Sequence, residues 1–224
     1  MHIYFNGDSN MAGAEIESGK PTIASTISRR LRANKTINHA FTGASNDYIY
    51  RTTMEYLQNN TPDFVVIGVT EMGRGEWLVP WYGELQYMQV NNLEMVDDSM
   101  IDGSGLRNRY NHWKEFQQTT KPFHESQAWY WHEKYYNLHT MLQWMKIPHI
   151  FFHAFHTFRI YSKAYQLDWH GSFVEPYTIG ETYIKWCGKN GYKEITPGQH
   201  HYDSDAQRAW ADRLLSHATR EGIL

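Results

Sequence analysis

Apolar runs and helical spacings of apolar residues alternate along this chain. The apolar run at 64–68 is the clearest strand, because a strand covered on both faces is apolar throughout. In all, the apolar runs predict strands over residues 2–5, 36–41, 64–68 and 149–152. Apolar residues spaced by three or four predict helices over 23–33, 47–58, 127–145 and 204–218. Strands that alternate with helices indicate an α/β fold, in which helices cover both faces of a mainly parallel sheet.

Polar or small residues follow each predicted strand. Ser9 follows the first strand, Gly43 the second, Thr70 the third and His153 the fourth. In parallel sheets, ligands bind outside the carboxyl ends of the strands. The four residues are therefore candidates for one functional site at that edge of the sheet.

Two stretches do not follow the alternation. Residues 76–125 are rich in Trp, Tyr, Asn and Gly, and their apolar residues are only weakly periodic. The stretch 157–180 has a similar character but is shorter. Both leave strand ends that face the candidate site, so we expect them to form its walls or a lid. The sequence predicts a single domain over 1–224, with insertions at about 76–125 and 157–180.

The composition narrows the classes of function. The 224 residues carry a net charge of −3 with 13 histidines counted neutral, which argues against a protein that depends on nucleic-acid phosphates. Cys187 is the only cysteine, so no internal disulfide forms. No apolar stretch is long enough to cross a bilayer, and the N-terminal residues predict a strand rather than a secretory signal. We expect a cytoplasmic protein that binds neither nucleic acid nor a membrane; its oligomeric state is not predicted.

Ser9 has the surroundings that a catalytic serine needs. A serine becomes a nucleophile when a base removes its proton and donors hold the developing oxyanion. Ser9 follows a strand and a Gly-Asp turn that exposes its hydroxyl at the sheet edge. The backbone N–H of Ser9 or Asn10, at the start of a turn, can donate to an oxyanion.

Four segments resemble the sequence blocks of GDSL/SGNH hydrolases. They are Phe5-Asn6-Gly7-Asp8-Ser9, Thr-Gly-Ala-Ser-Asn at 42–46, Ile-Gly-Val-Thr-Glu at 67–71, and the segment 201–211. They occur in the family's order over nearly the whole chain. The resemblance implies a three-layer α/β/α sandwich with a flavodoxin-like sheet. It also implies ester hydrolysis, in which Ser9 attacks the carbonyl, His201 is the base and the Gly43 N–H donates to the oxyanion.

The third block departs from the family's pattern. Thr70 stands where the family has an asparagine that donates to the oxyanion. The Thr70 hydroxyl can donate one hydrogen bond, and Asn46 or Asn10 can substitute for it. Losing one such donor typically lowers the rate by about a hundredfold or more.

The last block departs as well. Gly198 stands three residues before His201, where the family has the aspartate that orients the histidine. A backbone carbonyl or another acid such as Asp168 would then orient the ring, or a Ser-His dyad would act without one. His200 is the alternative base if the alignment is shifted by one residue.

Other polar residues extend the candidate site. His153 and His156 with His200 and His201 suggest a metal site, but no carboxylate completes the set, so we predict no metal and no cofactor. We expect His153 and His156 to line the cleft or to satisfy hydrogen bonds there. Arg74 either pairs with Glu76 or binds an anionic group of the substrate.

Aromatic residues suggest the class of substrate. Six aromatic residues are candidates for a sugar-stacking wall, and we expect about half of them to lie in the core instead. They are Trp77, Trp81, Tyr82, Tyr87, Trp129 and Trp131. We therefore predict a serine esterase whose partner is a small-molecule or glycan ester, such as an O-acetyl group on a polysaccharide.

A closer resemblance suggests an alternative function. Thr70, Arg74, Glu76 and Trp77, together with the helix start at His132, resemble SGNH-like proteins of large tailed bacteriophages. A phage-encoded protein would act in the host cytoplasm or as part of the virion. The departures at Thr70 and Gly198 favour the alternative that the chain is a degenerate SGNH-like glycan-binding or structural module.

Overall fold

The strands form one parallel sheet and one separate hairpin. The computed structural model describes residues 1–81, 84–90, 106–119 and 121–224. Within these residues the strands are β1 (His2–Asn6), β2 (Lys35–Asn38), β3 (Phe64–Val69), β4 (Gly75–Trp81), β5 (Glu84–Val90) and β6 (His149–His153). The order β2-β1-β3-β6 is parallel throughout, and β4 and β5 pair antiparallel. Phe173 forms a further parallel bridge to Phe151 at the β6 edge.

The helices of the described residues lie between the strands and after β6. They are α1 (Ser9–Ala12), α2 (Ile23–Arg30), α3 (Asn46–Asn59), α4 (Arg107–Thr119), α5 (Lys121–Trp144), α6 (Tyr183–Lys189) and α7 (Ser204–Arg220). Two single-turn 3₁₀ helices lie at Lys163–Tyr165 and Ile179–Glu181. Across the described ranges, no helix combines the length and the apolar character that a membrane crossing requires.

Alternate residues of the parallel strands pack into two separate cores. Ile3 and Phe5 of β1 lie in one core with Trp210 and other residues of α2, α6 and α7. Tyr4, between them in sequence, lies in the other core with Tyr135 and other residues of α3 and α5. Because successive side chains of a strand point to opposite faces, the sheet is covered on both sides. The predicted three-layer α/β/α class with a mainly parallel sheet is confirmed.

Most predicted elements are present, with shifted ends. The strands predicted at 2–5, 64–68 and 149–152 are confirmed, and the one predicted at 36–41 ends at Asn38, whose side chain accepts a hydrogen bond from the Ala40 N–H at 3.0 Å. The helix predicted to reach residue 33 ends at Arg30, because Arg32 adopts a left-handed conformation (φ 51°). The helix predicted at 127–145 begins earlier, at Lys121.

The stretch at 76–125 contains structure that the weak periodicity did not predict. Its hairpin is fixed to α3 by Arg51, which donates to both carboxylate oxygens of Glu76 at 2.8 Å, and Gln89 donates to the same carboxylate at 2.7 Å. The Glu76 side chain is only 3% exposed. The predicted alternative of an Arg74–Glu76 pair is therefore wrong, since Glu76 is bound from α3 and β5.

The stretch at 157–180 belongs in part to the core. Phe158, Trp169 and Phe173 are each less than 5% exposed, and their rings contact one another with centroids 4.9 to 6.0 Å apart. Burial of three aromatic rings is typical of core rather than of a mobile cover. At these positions the expected wall or lid is thus a fixed part of the second core.

Four buried histidines predict acid sensitivity. Burial lowers the pKa of His132, His139 and His149 to about 4 and that of His153 to about 3. Unfolded histidines bind protons below about pH 6.5, so the unfolded chain takes up more protons and stability falls as pH drops from 6.5 towards 4. Burial raises the pKa of Asp47 to about 6. This shift makes the folded protein more stable as pH drops, but it involves one group, whereas four histidines act in the other direction.

We expect the free energy of unfolding to fall by on the order of 1 kcal/mol per buried histidine between pH 7.5 and pH 5.5. Urea unfolding at the two pH values measures the change. Equal or greater stability at pH 5.5 would contradict the neutral, buried state of these rings.

Candidate active site

Ser9 lies at the carboxyl end of β1, on a turn that is fixed from both sides. The Asn6 amide donates to Thr52 and Thr53 of α3 at 2.8 and 3.0 Å, and its oxygen accepts from the Gly7 N–H at 2.9 Å. A Cβ on Gly7 would lie 2.8 Å from the Met11 Cβ, so only glycine fits. The Asp8 carboxylate caps α1 by accepting from the Asn10 N–H at 2.9 Å. Ser9 is thereby placed at the first position of α1.

The His201 ring lies next to Ser9. Its Nε2 is 2.9 Å from Ser9 Oγ, across 192 residues of sequence. The His201 carbonyl accepts from the Ile195 N–H at 2.8 Å, and Asp203 caps α7 by accepting from the N–H groups of Asp205 and Ala206. Because Asp203 is the cap, His201 lies outside the helix and its ring is available to Ser9.

A buried glutamine joins the segments that carry Ser9 and His201. Gln207, on the first turns of α7, donates from Nε2 to the Asn10 carbonyl at 3.1 Å and accepts from the Ile23 N–H at 3.0 Å. Gln207 is 1% exposed, so neither bond competes with bulk water. The distance between α1 and the start of α7 is therefore fixed by the protein interior.

An acid that the sequence did not reveal lies on the other side of the His201 ring. Glu15 Oε1 is 3.1 Å from His201 Nδ1. The Nδ1 atom is buried, and no well-aligned hydrogen bond reaches it from the described residues. The contact is therefore a close approach of the carboxylate to the ring nitrogen. The Glu15 side chain is 32% exposed.

The acids and the histidine that the sequence offered as alternatives have other contacts. Asp168 is 3.3 Å from His170 Nδ1, and the Gly198 N–H donates to Glu194 Oε2 at 2.5 Å. His200 Nδ1 is 2.9 Å from Glu194 Oε1, and its side chain is 49% exposed. The ring that faces Ser9 is therefore that of His201, and the acid beside that ring is Glu15.

A chain of polar contacts connects the ends of β1 and β3. The Thr70 hydroxyl donates to Asp8 Oδ2 at 2.9 Å. Arg74 Nη1 donates to Thr70 Oγ1 at 3.0 Å and to the Ala44 carbonyl at 3.3 Å, and it lies 4.0 Å from Asp8 Oδ2. Since the single hydroxyl proton of Thr70 points to Asp8, the N–H groups of Arg74 are the donors left at this position.

Arg74 is held in a confined position. Its side chain is 10% exposed, its guanidinium carbon lies 5.1 Å from the centre of the Phe155 ring, and its Nε is buried without a hydrogen-bond partner among the described residues. A guanidinium with an unsatisfied donor next to the nucleophile's turn can bind a negative charge.

Asn46 holds the loop after β3. Its side-chain oxygen accepts from the Thr70 N–H at 3.1 Å and from the Tyr135 hydroxyl at 2.9 Å, and its amide contacts the carbonyls of Thr70 and Glu71 at 3.4 and 3.5 Å. These bonds occupy the Asn46 amide in the resting structure.

Gly43 and Asn10 border the same region. Gly43 has a φ of 81°, and an added Cβ would meet no atom within 4 Å, so its backbone adjoins open space. The Asn10 side chain is buried, and neither its oxygen nor its nitrogen has a hydrogen-bond partner within the described part of the chain.

The remaining predicted residues have contacts with residues other than Ser9 and His201. His153 is buried, and its Nε2 is 3.2 Å from the Pro176 carbonyl. His156 Nδ1 contacts Glu71 Oε2 at 2.6 Å. Trp77 lies edge-on to Trp113, with ring centroids 5.7 Å apart. No group of three or more metal-ligating side chains with suitable geometry occurs among residues 1–81, 84–90, 106–119 and 121–224.

The aromatic residues divide between core and surface. Trp131 is 2% exposed, whereas Trp129 and Tyr87 are 38% and 50% exposed. A cavity of about 240 Å³ is lined by Asp47, Met72, Arg74, Gly75, Glu76, Trp77, Trp113 and Gln127. Tyr82 and the Trp81 side chain lie outside the described residues.

The sequence matches no protein-family model and no curated protein. Among solved structures, the chain is similar to a member of the lipolytic protein G-D-S-L family from Veillonella parvula DSM 2008, at 11% identity over 98% of this chain and 99% of that one, with a TM-score of 0.43. It is also similar to TesA, at 11% identity over 100% of both chains and a TM-score of 0.43. A third similar structure is an acylhydrolase from Bacteroides fragilis NCTC 9343, at 12% identity over 100% of this chain and 88% of that one, with a TM-score of 0.35.

Proposed function

We propose that this protein is a serine-dependent ester hydrolase of the SGNH type. The observation that supports it most is the 2.9 Å contact between Ser9 Oγ and His201 Nε2 at the carboxyl end of a parallel sheet. His201 Nε2 takes the proton as Ser9 Oγ bonds to the ester carbonyl carbon. The same proton passes to the alcohol as the ester bond breaks, which leaves an acyl group on Ser9. His201 then takes a proton from water, which attacks the acyl carbon, and returns that proton to Ser9 as the acid leaves.

The proposed oxyanion donors are the N–H groups of Ser9 and Gly43 and a third group at the end of β3. Thr70 and Asn46 were the sequence candidates for the third donor. The Thr70 proton is directed to Asp8 and the Asn46 amide holds the β3 loop. We therefore propose Arg74 as the third donor. In this role it binds the oxyanion, whereas the sequence suggested that it binds an anionic group of the substrate.

The proposed substrate is a carbohydrate ester, such as an O-acetyl group on a glycan. Arg74 lines a cavity together with carboxylates and tryptophans, and such side chains suit the hydroxyls and apolar faces of a sugar. Asn10 adds an unsatisfied amide beside Ser9. His156, three residues after β6, is the proposed contact for another part of the substrate. A relation to bacteriophage proteins and a cytoplasmic location stay predictions from the sequence.

A covalent probe tests the proposed function. A fluorophosphonate should label the protein, and mass spectrometry of the digested adduct should place the label on Ser9. The protein should also hydrolyse p-nitrophenyl acetate and release acetate from an acetylated polysaccharide. No labelling together with no hydrolysis of p-nitrophenyl acetate would contradict the proposal and favour the degenerate glycan-binding or structural module.

Replacing Arg74 with glutamine tests the third donor. Arg74→Gln should lower kcat for p-nitrophenyl acetate about 100-fold, with little change in KM, because the lost donor acts on the oxyanion and not on the neutral substrate. Steady-state kinetics on both parameters, with a melting temperature to check folding, measure the effect.

Arg30→Gln is the matched control, because Arg30, the last residue of α2, forms an exposed ion pair with Asp212 at 3.1 Å. It should leave kcat within about twofold of the original value. If Arg74→Gln impaired only esters that carry a carboxylate in their acyl group, Arg74 would bind substrate and would not stabilise the oxyanion.

A further inference from the structure

The acid beside His201 comes from the segment that carries the nucleophile. We propose that Glu15 is the positioning residue that orients His201 and stabilises its protonated form, in place of the acid that is missing at Gly198. The proposal rests on the proposed function of Ser9 and His201. The acid of the site would then lie six residues after Ser9 in sequence. Its spacing from His201 does not indicate this role.

The loop that carries Glu15 is built on the backbone of Ser9. Gly13 ends α1 in a left-handed conformation with a φ of 78°. The Ala14 N–H then donates to the Ser9 carbonyl at 2.9 Å, and the Ile16 N–H donates to the Gly13 carbonyl at 3.1 Å. Glu15 lies between these two bonds, so its position is fixed relative to the nucleophile.

Glu15 itself adopts an uncommon backbone conformation. Its φ is 63°, in the left-handed region that non-glycine residues other than Asn and Asp rarely occupy. Such strain persists where the surroundings impose it, and it is concentrated at functional sites. Here the conformation brings the carboxylate to 3.1 Å from His201 Nδ1.

The two ring nitrogens of His201 then have different partners. Nε2 faces Ser9 and Nδ1 faces Glu15. For Nε2 to accept the serine proton, the neutral ring must carry its hydrogen on Nδ1. A carboxylate beside Nδ1 favours that tautomer, and it stabilises the imidazolium that forms when the proton moves from Ser9 Oγ to Nε2. The Nδ1 hydrogen stays on the ring throughout.

Two acids close to His201 in sequence, Glu194 and Asp203, have other partners. Glu194 is bound by His200 and by the Gly198 N–H, and Asp203 caps α7. Glu15 and Glu17 both line a cavity of about 390 Å³. The carboxylate is thus reached by water on its far side, which weakens its effect on the ring relative to a fully buried acid.

Two substitutions separate positioning from structural support. Glu15→Gln should lower kcat for p-nitrophenyl acetate about 10- to 100-fold with KM within about twofold, less than the roughly 10⁴-fold typical of a buried triad acid. Glu17→Gln, which alters an exposed acid on the same cavity, should match the original protein.

Glu15→Gly removes the carboxylate and relieves the backbone strain. The melting temperature should stay equal or rise, because glycine adopts a φ of 63° without cost, while kcat falls at least as far as in Glu15→Gln. Since the vacated position opens onto the cavity, added formate should restore part of the activity of Glu15→Gly in a saturable manner. It should not restore Ser9→Ala.

A measurement that needs no turnover keeps this inference separate from the proposed function. In ¹⁵N spectra, neutral His201 should carry its hydrogen on Nδ1 in the original protein and shift towards the Nε2–H form in Glu15→Gly; His201→Gln assigns the signals. Equal tautomers together with kinetics within twofold of the original would overturn the role of Glu15. If the original protein shows no esterase activity, the proposed function fails, and the tautomer alone decides the role of Glu15.

Discussion

Ser9→Ala should lower kcat for p-nitrophenyl acetate by about 10⁴-fold or more and abolish labelling by a fluorophosphonate. The reason is that alanine removes the only atom in this arrangement that can form the acyl intermediate. Any residual hydrolysis would come from the oxyanion donors and from water. Rates of p-nitrophenol release and the extent of labelling measure the two effects.

The substitution is structurally mild, so the result is interpretable. In the described structure the Ser9 hydroxyl bonds to His201, and the turn around it is held by Asn6 and Asp8 rather than by the hydroxyl. We therefore expect the melting temperature of Ser9→Ala to change by no more than a few degrees. Ser216→Ala, which alters an exposed serine on α7, should label and turn over like the original protein. Labelling that survives in Ser9→Ala would place the nucleophile elsewhere.

The central sheet and most of its helices are predictable from local pattern. The run at 64–68 is apolar because β3 is covered on both faces, and the spacing of Ala206, Trp210 and Leu214 follows from one face of α7 in the core. The hairpin of β4 and β5 is different. Residues 84–87 alternate between polar and apolar, but all four are exposed, so the alternation is short and corresponds to no buried face.

The position of Ser9 after β1 and of His201 before α7 also follows from local signals, helped by the family resemblance. The proposed roles of Glu15 and Arg74 do not follow from local signals. Glu15 reaches His201 through a left-handed turn that its sequence does not encode in any recognisable motif, and the contact spans 186 residues of chain. Arg74 acquires its partners from the ends of three different segments. Such arrangements depend on tertiary packing, which propensity and spacing do not contain.

The departures from the family's pattern therefore have a physical interpretation. Thr70 does not replace the missing asparagine as a donor in the resting structure, since its hydroxyl binds Asp8 and positions Arg74. Gly198 leaves the acid position of the last block empty, and an acid approaches the same ring nitrogen from the α1 loop. A charged residue accompanies each departure: Arg74 contacts Thr70, and Glu15 contacts His201.

His201→Gln should lower kcat by about 10⁴-fold or more, because Ser9 then has no base within hydrogen-bond reach among the described residues. The residual rate should rise with hydroxide concentration, since solvent must accept the serine proton. The double variant Ser9→Ala/His201→Gln should be no slower than either single variant, because the two residues act as one unit. Steady-state rates between pH 6 and pH 10 measure these effects.

His200→Gln is the matched control for this prediction. The two histidines are adjacent in sequence, but the His200 ring binds Glu194 and is 49% exposed, whereas His201 binds Ser9. His200→Gln should leave kcat within about twofold and the pH profile unchanged, because an exposed contact of this kind contributes at most about 1 kcal/mol. A large loss in His200→Gln with normal activity in His201→Gln would assign the base to the neighbouring residue and would also remove the basis for the role of Glu15.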